Sequence, residues 1–176
     1  TTRAARLTAW LLQLQGWHTG LSCRDGLFVN QRRLQAEDPI GFEDAERLLI
    51  NRQVQAAVFE SDVRHLMTEG LPYDRCQVGV VTSMPSNATL HDLYPGDNDR
   101  VPGYVRTQID VVLPSGACVL NAEDEAVAGL SQYCDGETLF YASQEQHPRL
   151  AEHRAAGGRV AFWRNDALVL AHGKQE

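Results

Sequence analysis

The chain has 176 residues, of which 43% are hydrophobic and 22% are charged, and its formal net charge is −7. This composition is ordinary for a globular protein, and the length suggests a single domain. The acidic balance and the dispersed arginines exclude the basic stripe typical of nucleic-acid binding. Because no apolar run approaches the roughly 20 residues that span a bilayer, we expect neither a nucleic-acid nor a membrane partner.

The four cysteines show no C-x-x-C spacing, so the sequence predicts neither a zinc site nor a thioredoxin-like motif. Two of them adjoin apolar runs that are typical of strands, which favours small buried side chains. We expect all four to be reduced thiols, which places the chain in the cytoplasm. These residues are Cys23, Cys76, Cys118 and Cys134.

The first part of the chain alternates between helical and strand patterns. Leu7, Leu11 and Leu14 recur at helical spacing before Gly16, which predicts a helix over residues 2–15. Four further elements are predicted in order: a strand at 18–22, a turn at 25–26 leading into 27–34 as a hairpin, a helix at 42–51 and a strand at 55–59 that ends at Glu60.

The second part begins with an apolar strand at 78–82 and a proline-containing loop at 83–103. The later predictions are a helix at 105–113, a turn at 114–116, a strand at 117–120, a helix at 124–133, a strand at 138–142, a helix at 148–155 and a hairpin of 160–164 with 167–171. Continuous apolar runs between helices are typical of buried parallel strands. We therefore expect an α/β fold with a Rossmann-like, mostly parallel sheet flanked by helices and a C-terminal β-hairpin.

Two stretches carry a resemblance to a known family. Residues 70–82, GLPYDRCQVGVVT, and residues 118–124, CVLNAED, resemble the central domain of the Mur-ligase superfamily, specifically the Mur-ligase-type half of cyanophycin synthetases. The resemblance covers nearly the whole chain and implies one Mur-ligase-like central domain over residues 1–176. Residues 1–3 and the following helix resemble the segment just after that family's phosphate loop. We therefore expect the chain to lack the phosphate loop and the C-terminal lobe.

The resemblance implies a particular chemistry. Mur-type ligases phosphorylate a carboxylate with ATP, and an amine then attacks the acyl phosphate to form an amide. A glycine-rich loop with a lysine holds the phosphates, oxygen ligands hold magnesium, and a carbamylated lysine helps to hold a second metal. ATP and magnesium are thus the cofactors that the family implies.

The metal positions of the family are only partly kept. Glu60 ends a predicted strand where the resembling ligases place a metal-binding glutamate, although an exposed carboxylate that caps the next helix is the alternative. Ala88 falls at the position of the family's metal-binding histidine. His91 follows three residues later and is a second metal candidate, with a solvated acidic loop as the alternative.

The adenine position is kept better. Asn121 stands where the family uses an asparagine amide to contact adenine, and Asp124 follows it as a further candidate. The alternative is an Asx turn at the strand end followed by a helix cap. Val105 stands at the position of the carbamylated lysine, and the chain's one lysine, Lys174, lies near the C-terminus.

Two functional hypotheses follow from the resemblance. In the first, the chain is a degenerate, non-catalytic Mur-ligase-like domain with no catalytic residue and no bound cofactor of its own. It would support the ATP-grasp half of a larger synthetase or hold contacts in a homo-oligomer. In the second, it is a fragment of an active ligase half that adds an amino acid to an aspartate-based polymer with ATP and magnesium.

Overall fold

A computed structural model of the chain describes residues 1–36, 39–85 and 100–176. These residues form two compact units, Thr1–Pro72 and Tyr73–Glu176, and each unit is described by itself. The expectation of a single domain over the whole chain stays a prediction. No helix among the described residues is both long enough and apolar enough to cross a membrane.

The first unit is a four-stranded sheet with three helices. Its elements are α1 (Thr2–Leu14), β1 (Thr19–Cys23), β2 (Gly26–Val29), β3 (Arg32–Gln35), α2 (Phe42–Leu49), β4 (Ala56–Phe59) and α3 (Val63–Thr68). The strand order is β3-β2-β1-β4. β1 runs parallel to β4 and antiparallel to β2. Both α1 and α2 pack against the parallel β1–β4 pair.

The predicted hairpin around residues 25–26 is present as the antiparallel pair β1–β2. Residues 27–34 are further divided into two antiparallel strands, β2 and β3, because Asn30 adopts a left-handed conformation with φ of 53°. Asparagine tolerates this conformation better than most residues, so it serves well in a tight turn. The turn predicted at Asp25-Gly26 is present, and Gly26 at φ of 144° occupies a conformation that side chains disfavour.

The second unit is the mostly parallel sheet that the sequence predicts, flanked by helices. Its elements are β5 (Cys76–Val81), α4 (Val101–Asp110), β6 (Val112–Asn121), α5 (Glu125–Ala128), a 3-10 helix (Gly129–Tyr133), β7 (Glu137–Ala142), α6 (Pro148–Ala155), β8 (Arg159–Arg164) and β9 (Ala167–His172). The order is β5-β6-β7-β8-β9. Among the strands described in this unit, β9 alone is antiparallel to its neighbour. It forms the predicted C-terminal hairpin with β8.

The turn predicted at 114–116 is also wrong, because these residues lie inside β6. The β5–β6 register passes from Cys76 opposite Val112 directly to Val78 opposite Ala117. Pro114 and Gly116 therefore mark an irregularity within one strand. A proline that cannot donate to the sheet is tolerated at such a place. The preceding helix correspondingly begins at Val101 and ends at Asp110, and the helix predicted at 124–133 is split into α5 and the 3-10 helix.

The core of the second unit lies between α4, α6 and one face of the sheet. Gly79 on β5 shows how closely α4 approaches, since a Cβ there would lie 2.8 Å from the Gln108 carbonyl oxygen. Beneath the helices, Leu120, Phe140 and Phe162 are buried. The four cysteines are free thiols, two of them buried and two half-buried.

Candidate functional site

Glu60 follows β4 directly and is held by groups of its own unit. Its backbone N–H donates to the Ser22 carbonyl at 2.8 Å. One carboxylate oxygen accepts from the Thr2 hydroxyl at 2.9 Å, and the other accepts from the Arg24 backbone N–H at 3.1 Å. The half-buried carboxylate thus joins the first turn of α1 to the end of β1.

Asp62 lies two residues later and caps α3. It accepts from the backbone N–H of His65 at 3.1 Å, contacts the His65 ring at 3.0 Å, and forms an ion pair with Arg24 at 3.0 Å. Burial by itself would raise the pKa of Asp62. The hydrogen bonds from His65 and Arg24 outweigh it and hold the pKa below its ordinary value. The helix cap that the sequence analysis considered for Glu60 is therefore provided by Asp62.

Asn121 ends β6 at the carboxyl edge of the parallel sheet in the second unit. Its amide nitrogen donates to the Thr82 carbonyl at 3.0 Å, just past the end of β5. Its amide oxygen accepts from the Glu123 backbone N–H at 3.0 Å. This second bond closes an Asx turn. The amide therefore joins two adjacent strand ends.

Asp124 has a matching local role as the N-cap of α5. One oxygen accepts from the N–H groups of Ala126 and Val127 at 3.1 and 3.2 Å. The other accepts from the Met84 N–H at 2.8 Å, on the segment that leaves β5. Both oxygens are thus occupied by backbone donors, which is typical of a residue that fixes a loop. Asn121 and Asp124 come together in this one turn.

The sequence analysis missed one polar contact at this sheet edge. The exposed carboxylate of Glu123 accepts from the Ser143 backbone N–H at 2.8 Å and from the Ser143 hydroxyl. These bonds lower the pKa of Glu123, whereas burial, and then the charges of Glu123 and Asp124, raise the pKa of Tyr141. The available signal was that both partners follow strands, and the carboxyl ends of neighbouring parallel strands meet at one edge.

Val105, at the position of the family's carbamylated lysine, is a core residue of α4. Only 3% of it is exposed, and Ile109 on the same helix face is fully buried. The adjacent Arg106 turns outward, where it pairs with Asp110 at 3.0 Å and lies 4.1 Å from the centre of the Tyr133 ring. A charged group at position 105 would therefore enter an apolar interior.

The described residues contain no ready-made group of metal-ligating side chains. Among residues 1–36, 39–85 and 100–176, no three His, Cys, Asp or Glu side chains are grouped so that they could hold a metal ion. Both oxygens of Glu60 are already hydrogen-bonded within the protein. The second metal candidate, His91, and the alanine at position 88 lie outside the described residues.

Neither of two surface depressions in the described residues is lined by Glu60, Asn121 or Asp124. One of about 480 Å³ lies beside α6 and the terminal hairpin. There Arg154 donates to the Gly173 carbonyl at 2.6 Å and pairs with Glu176 at 2.7 Å. Hydrogen bonds from Arg164 and Arg154 lower the pKa of Glu176 to about 2. The other, of about 660 Å³, is lined chiefly by α2 and α3 residues.

Comparison with known proteins agrees with this fold. The chain is 26% identical to a cyanophycin synthetase of Crocosphaera subtropica over 176 residues and 26% identical to one of Synechocystis sp. over 175 residues. In both cases 98% of the chain is covered, but only 20% of the relative. A solved UDP-N-acetylmuramoyl-L-alanyl-D-glutamate–2,6-diaminopimelate ligase superposes on 91% of the chain and 31% of its own length with a TM-score of 0.64 at 14% identity. The chain is thus similar to cyanophycin synthetases over nearly its whole length and shares its fold with a Mur ligase. No family model matches it.

The chain spans about one fifth of the length of these curated relatives. The solved ligase supports the fold alone at its level of identity. The roles of Glu60, His91, Asn121 and Asp124 in metal or nucleotide binding stay predictions. The structure describes three of these residues, Glu60, Asn121 and Asp124. Each forms hydrogen bonds that connect backbone segments, which is the structural role that the sequence analysis gave as the alternative to ligand binding.

Proposed function

We propose that this chain is a Mur-ligase-like domain without ligase chemistry of its own, and that it serves as a scaffold in a cyanophycin-synthetase-type protein of the cytoplasm. The observation that carries the proposal is that the residues at the family's ligand-binding positions have structural contacts. Hydrogen bonds of Glu60 connect α1 to the end of β1, a hydrogen bond of Asn121 connects the ends of β6 and β5, and Asp124 caps α5. Val105 fills the core where the family has a lysine.

Charge supports the same proposal. A nucleoside triphosphate carries several negative charges, and the proteins that bind it place cationic side chains and free backbone donors around them. This chain has a net charge of −7 and one lysine, Lys174. Several arginines are paired with acidic partners of their own unit, as Arg24 is with Asp62 and Arg154 is with Glu176. ATP and magnesium belong to the family's chemistry, and we propose that this domain binds neither.

The partners we propose are the ATP-grasp half of a larger synthetase or further copies of the chain. Exposed apolar side chains support a docking role, since a large apolar patch on a protein surface usually marks an interaction site. Free thiols in all four cysteine positions support a reducing compartment.

Isothermal titration calorimetry of the chain with Mg-ATP tests the absence of nucleotide binding. We expect no binding at millimolar nucleotide. A dissociation constant below about 100 μM, which corresponds to roughly −5.5 kcal/mol, contradicts the proposal. The variant Asn121→Ala then decides where such binding occurs, because loss of affinity in this variant would assign it to the adenine position.

The alternative is that the domain is a fragment of an active ATP-dependent amide ligase half. The match to cyanophycin synthetases over 98% of the chain favours it, as does the retention of Glu60 and Asn121 at family positions. The assay is ADP release with an aspartate polymer, arginine or lysine, and magnesium. Release that is lost in Glu60→Gln would establish this alternative and overturn the scaffold.

A further inference from the structure

Two cysteines of the second unit lie side by side at the start of β7. Cys118 on β6 stands opposite Thr138 on β7, and its sulfur is 3.3 Å from the Thr138 hydroxyl oxygen. The Cys134 thiol donates to the carbonyl oxygen of Glu137, the residue before Thr138, at 3.9 Å. Two consecutive residues of β7 therefore contact the two thiols.

The backbone brings the same two segments together. A Cβ at Gly136 would lie 2.4 Å from the Gly116 carbonyl oxygen, so the segment that leads from the 3-10 helix to β7 lies directly against β6. Gly116 precedes Cys118 by two residues, and Gly136 follows Cys134 by two. The two thiols are within hydrogen-bonding reach of each other. Burial, and in addition this contact with Cys134, raises the pKa of Cys118 to about 12.

We propose that Cys118 and Cys134 form a reversible intramolecular disulfide when the folded chain meets a small-molecule disulfide, which makes this pair a thiol modification site. Cys134 lies at the end of the 3-10 helix, before β7 begins, so its side chain can rotate toward Cys118 without breaking a strand. The bond would join β6 to the entry of β7. Disulfides of this kind in cytosolic proteins are usually transient and respond to the redox state.

The disulfide forms by two exchanges. The Cys134 thiolate attacks one sulfur of the small disulfide, so that a mixed disulfide forms and one small thiolate leaves. The Cys118 sulfur then attacks the Cys134 sulfur, and the second small thiolate leaves. Each departing thiolate takes up the proton that a cysteine has released. The two cysteines are thus oxidised by two electrons in all, and the small disulfide is reduced to two thiols.

Exposure sets the order of these exchanges. Cys134 is half-buried and can meet a reagent from solvent, whereas no part of Cys118 is exposed. The reactivity of a cysteine follows the exposure and the ionisation of its thiol. Cys118 therefore reacts second, with a sulfur that is already beside it.

Cys76 is the competing partner for Cys134. The charge of Cys134, after burial, raises the pKa of Cys76, so the two thiols share a neighbourhood. Cys134 is held at Glu137 on β7, which is one strand away from Cys118 and two strands away from Cys76. Because neighbouring strands lie about 4.8 Å apart, we expect Cys118 to be the partner.

Peptide mapping of the folded chain tests the assignment. The chain is incubated with millimolar oxidised glutathione, the remaining thiols are blocked with N-ethylmaleimide, and trypsin and a glutamate-specific protease are added without reductant. Cleavage after Arg106 and Glu123 places Cys76, Cys118 and Cys134 in separate peptides. We expect a cross-linked pair of peptides that contains Cys118 and Cys134. Any map without this pair, including one with Cys76 joined to Cys134 or with four free thiols, overturns the proposal.

Three variants test the order of the exchanges and the choice of partner. Cys118→Ser keeps a hydrogen-bonding group beside Thr138 and should stop at the mixed disulfide, with one glutathione on Cys134. Cys134→Ser should leave Cys118 without glutathione, because burial shields it. Cys76→Ser is the matched control and should form the cross-linked pair as the unmodified chain does. Loss of the pair in this control, or glutathione on Cys118 in Cys134→Ser, overturns the proposal.

Thermal unfolding separates a disulfide that the native fold accommodates from one that is trapped in an unfolded chain. A cross-link that fits the native geometry restricts the unfolded state and stabilises the fold. We therefore expect the Tm of the oxidised chain to equal or exceed that of the reduced chain. A lower Tm after oxidation, together with loss of the native circular dichroism spectrum, overturns the proposal.

Discussion

Glu60 offers a direct way to separate a structural carboxylate from a metal ligand. In the structure it accepts one bond from the Thr2 hydroxyl and one from the Arg24 N–H. Glu60→Ala removes both acceptors. A net hydrogen bond is worth about 0.5–1.5 kcal/mol, and somewhat more when one partner is charged. We therefore expect Glu60→Ala to lower the free energy of unfolding by about 2 kcal/mol, which is about 4–8 °C in Tm for a chain of this length.

Glu60→Gln sharpens the test because it keeps the shape and removes the charge. Its amide oxygen can accept from Arg24 N–H, while its amide nitrogen can donate to the Thr2 hydroxyl, since a hydroxyl also accepts. We therefore expect Glu60→Gln to lose less than about 1 kcal/mol. A metal ligand behaves differently, because an uncharged amide is a much weaker magnesium ligand than a carboxylate.

The assay is thermal unfolding of both variants with and without about 10 mM Mg²⁺. A metal ion that binds the folded state raises its Tm. Glu46→Ala, a substitution at an exposed carboxylate of α2, is the control and should leave Tm within about 1 °C. Two results refute the structural role: Glu60→Ala unfolding at the unmodified temperature, or a magnesium-dependent rise in Tm that disappears in Glu60→Gln.

Three further predictions concern the caps and the core. Asp124→Ala should cost about 0.5–2 kcal/mol in urea denaturation, and an unchanged midpoint would contradict its capping role. The folded pKa of Asp62 lies below its unfolded value. Its contribution to stability is therefore present above about pH 4 and is lost as the pH falls through the folded pKa. Asp62→Asn, which keeps a capping side chain, should flatten the stability profile below about pH 4. Val105→Lys should cost at least about 3 kcal/mol because it buries an unpaired charge, and it should release no ADP; native-like stability would show that position 105 accommodates a cation.

The sequence predicts the second unit well because its signals are local. The apolar run at β5 is typical of a strand in an α/β chain, and Asn165-Asp166 at positive φ makes the terminal hairpin. The errors come from residues whose effect depends on their neighbours. Pro114 and Gly116 are typical of turns, yet Val112 before them and Ala117 after them both pair with β5, so they lie within β6.

The candidate site divides in the same way. Asn121 and Asp124 each accept from backbone N–H groups two or three residues later, so their Asx turn and helix cap could be proposed from the sequence alone. The bond from Asn121 to the Thr82 carbonyl and the bond from Ser143 to Glu123 join residues 39 and 20 positions apart. They exist because β5, β6 and β7 are adjacent, and strand order is a property of the folded sheet that no local pattern records.

Helix α1 shows where periodicity stops being informative. Its apolar residues predict a helix correctly, but leucine and tryptophan at the exposed positions would ordinarily be assigned to the core, with alanine at its margin. The structure has the opposite arrangement, because the small side chains of Ala5 and Ala9 let the helix lie close to β1 and β4. The large side chains then face outward at a cost that an isolated chain in water does not recover. A second apolar surface that covered these side chains would offset that cost.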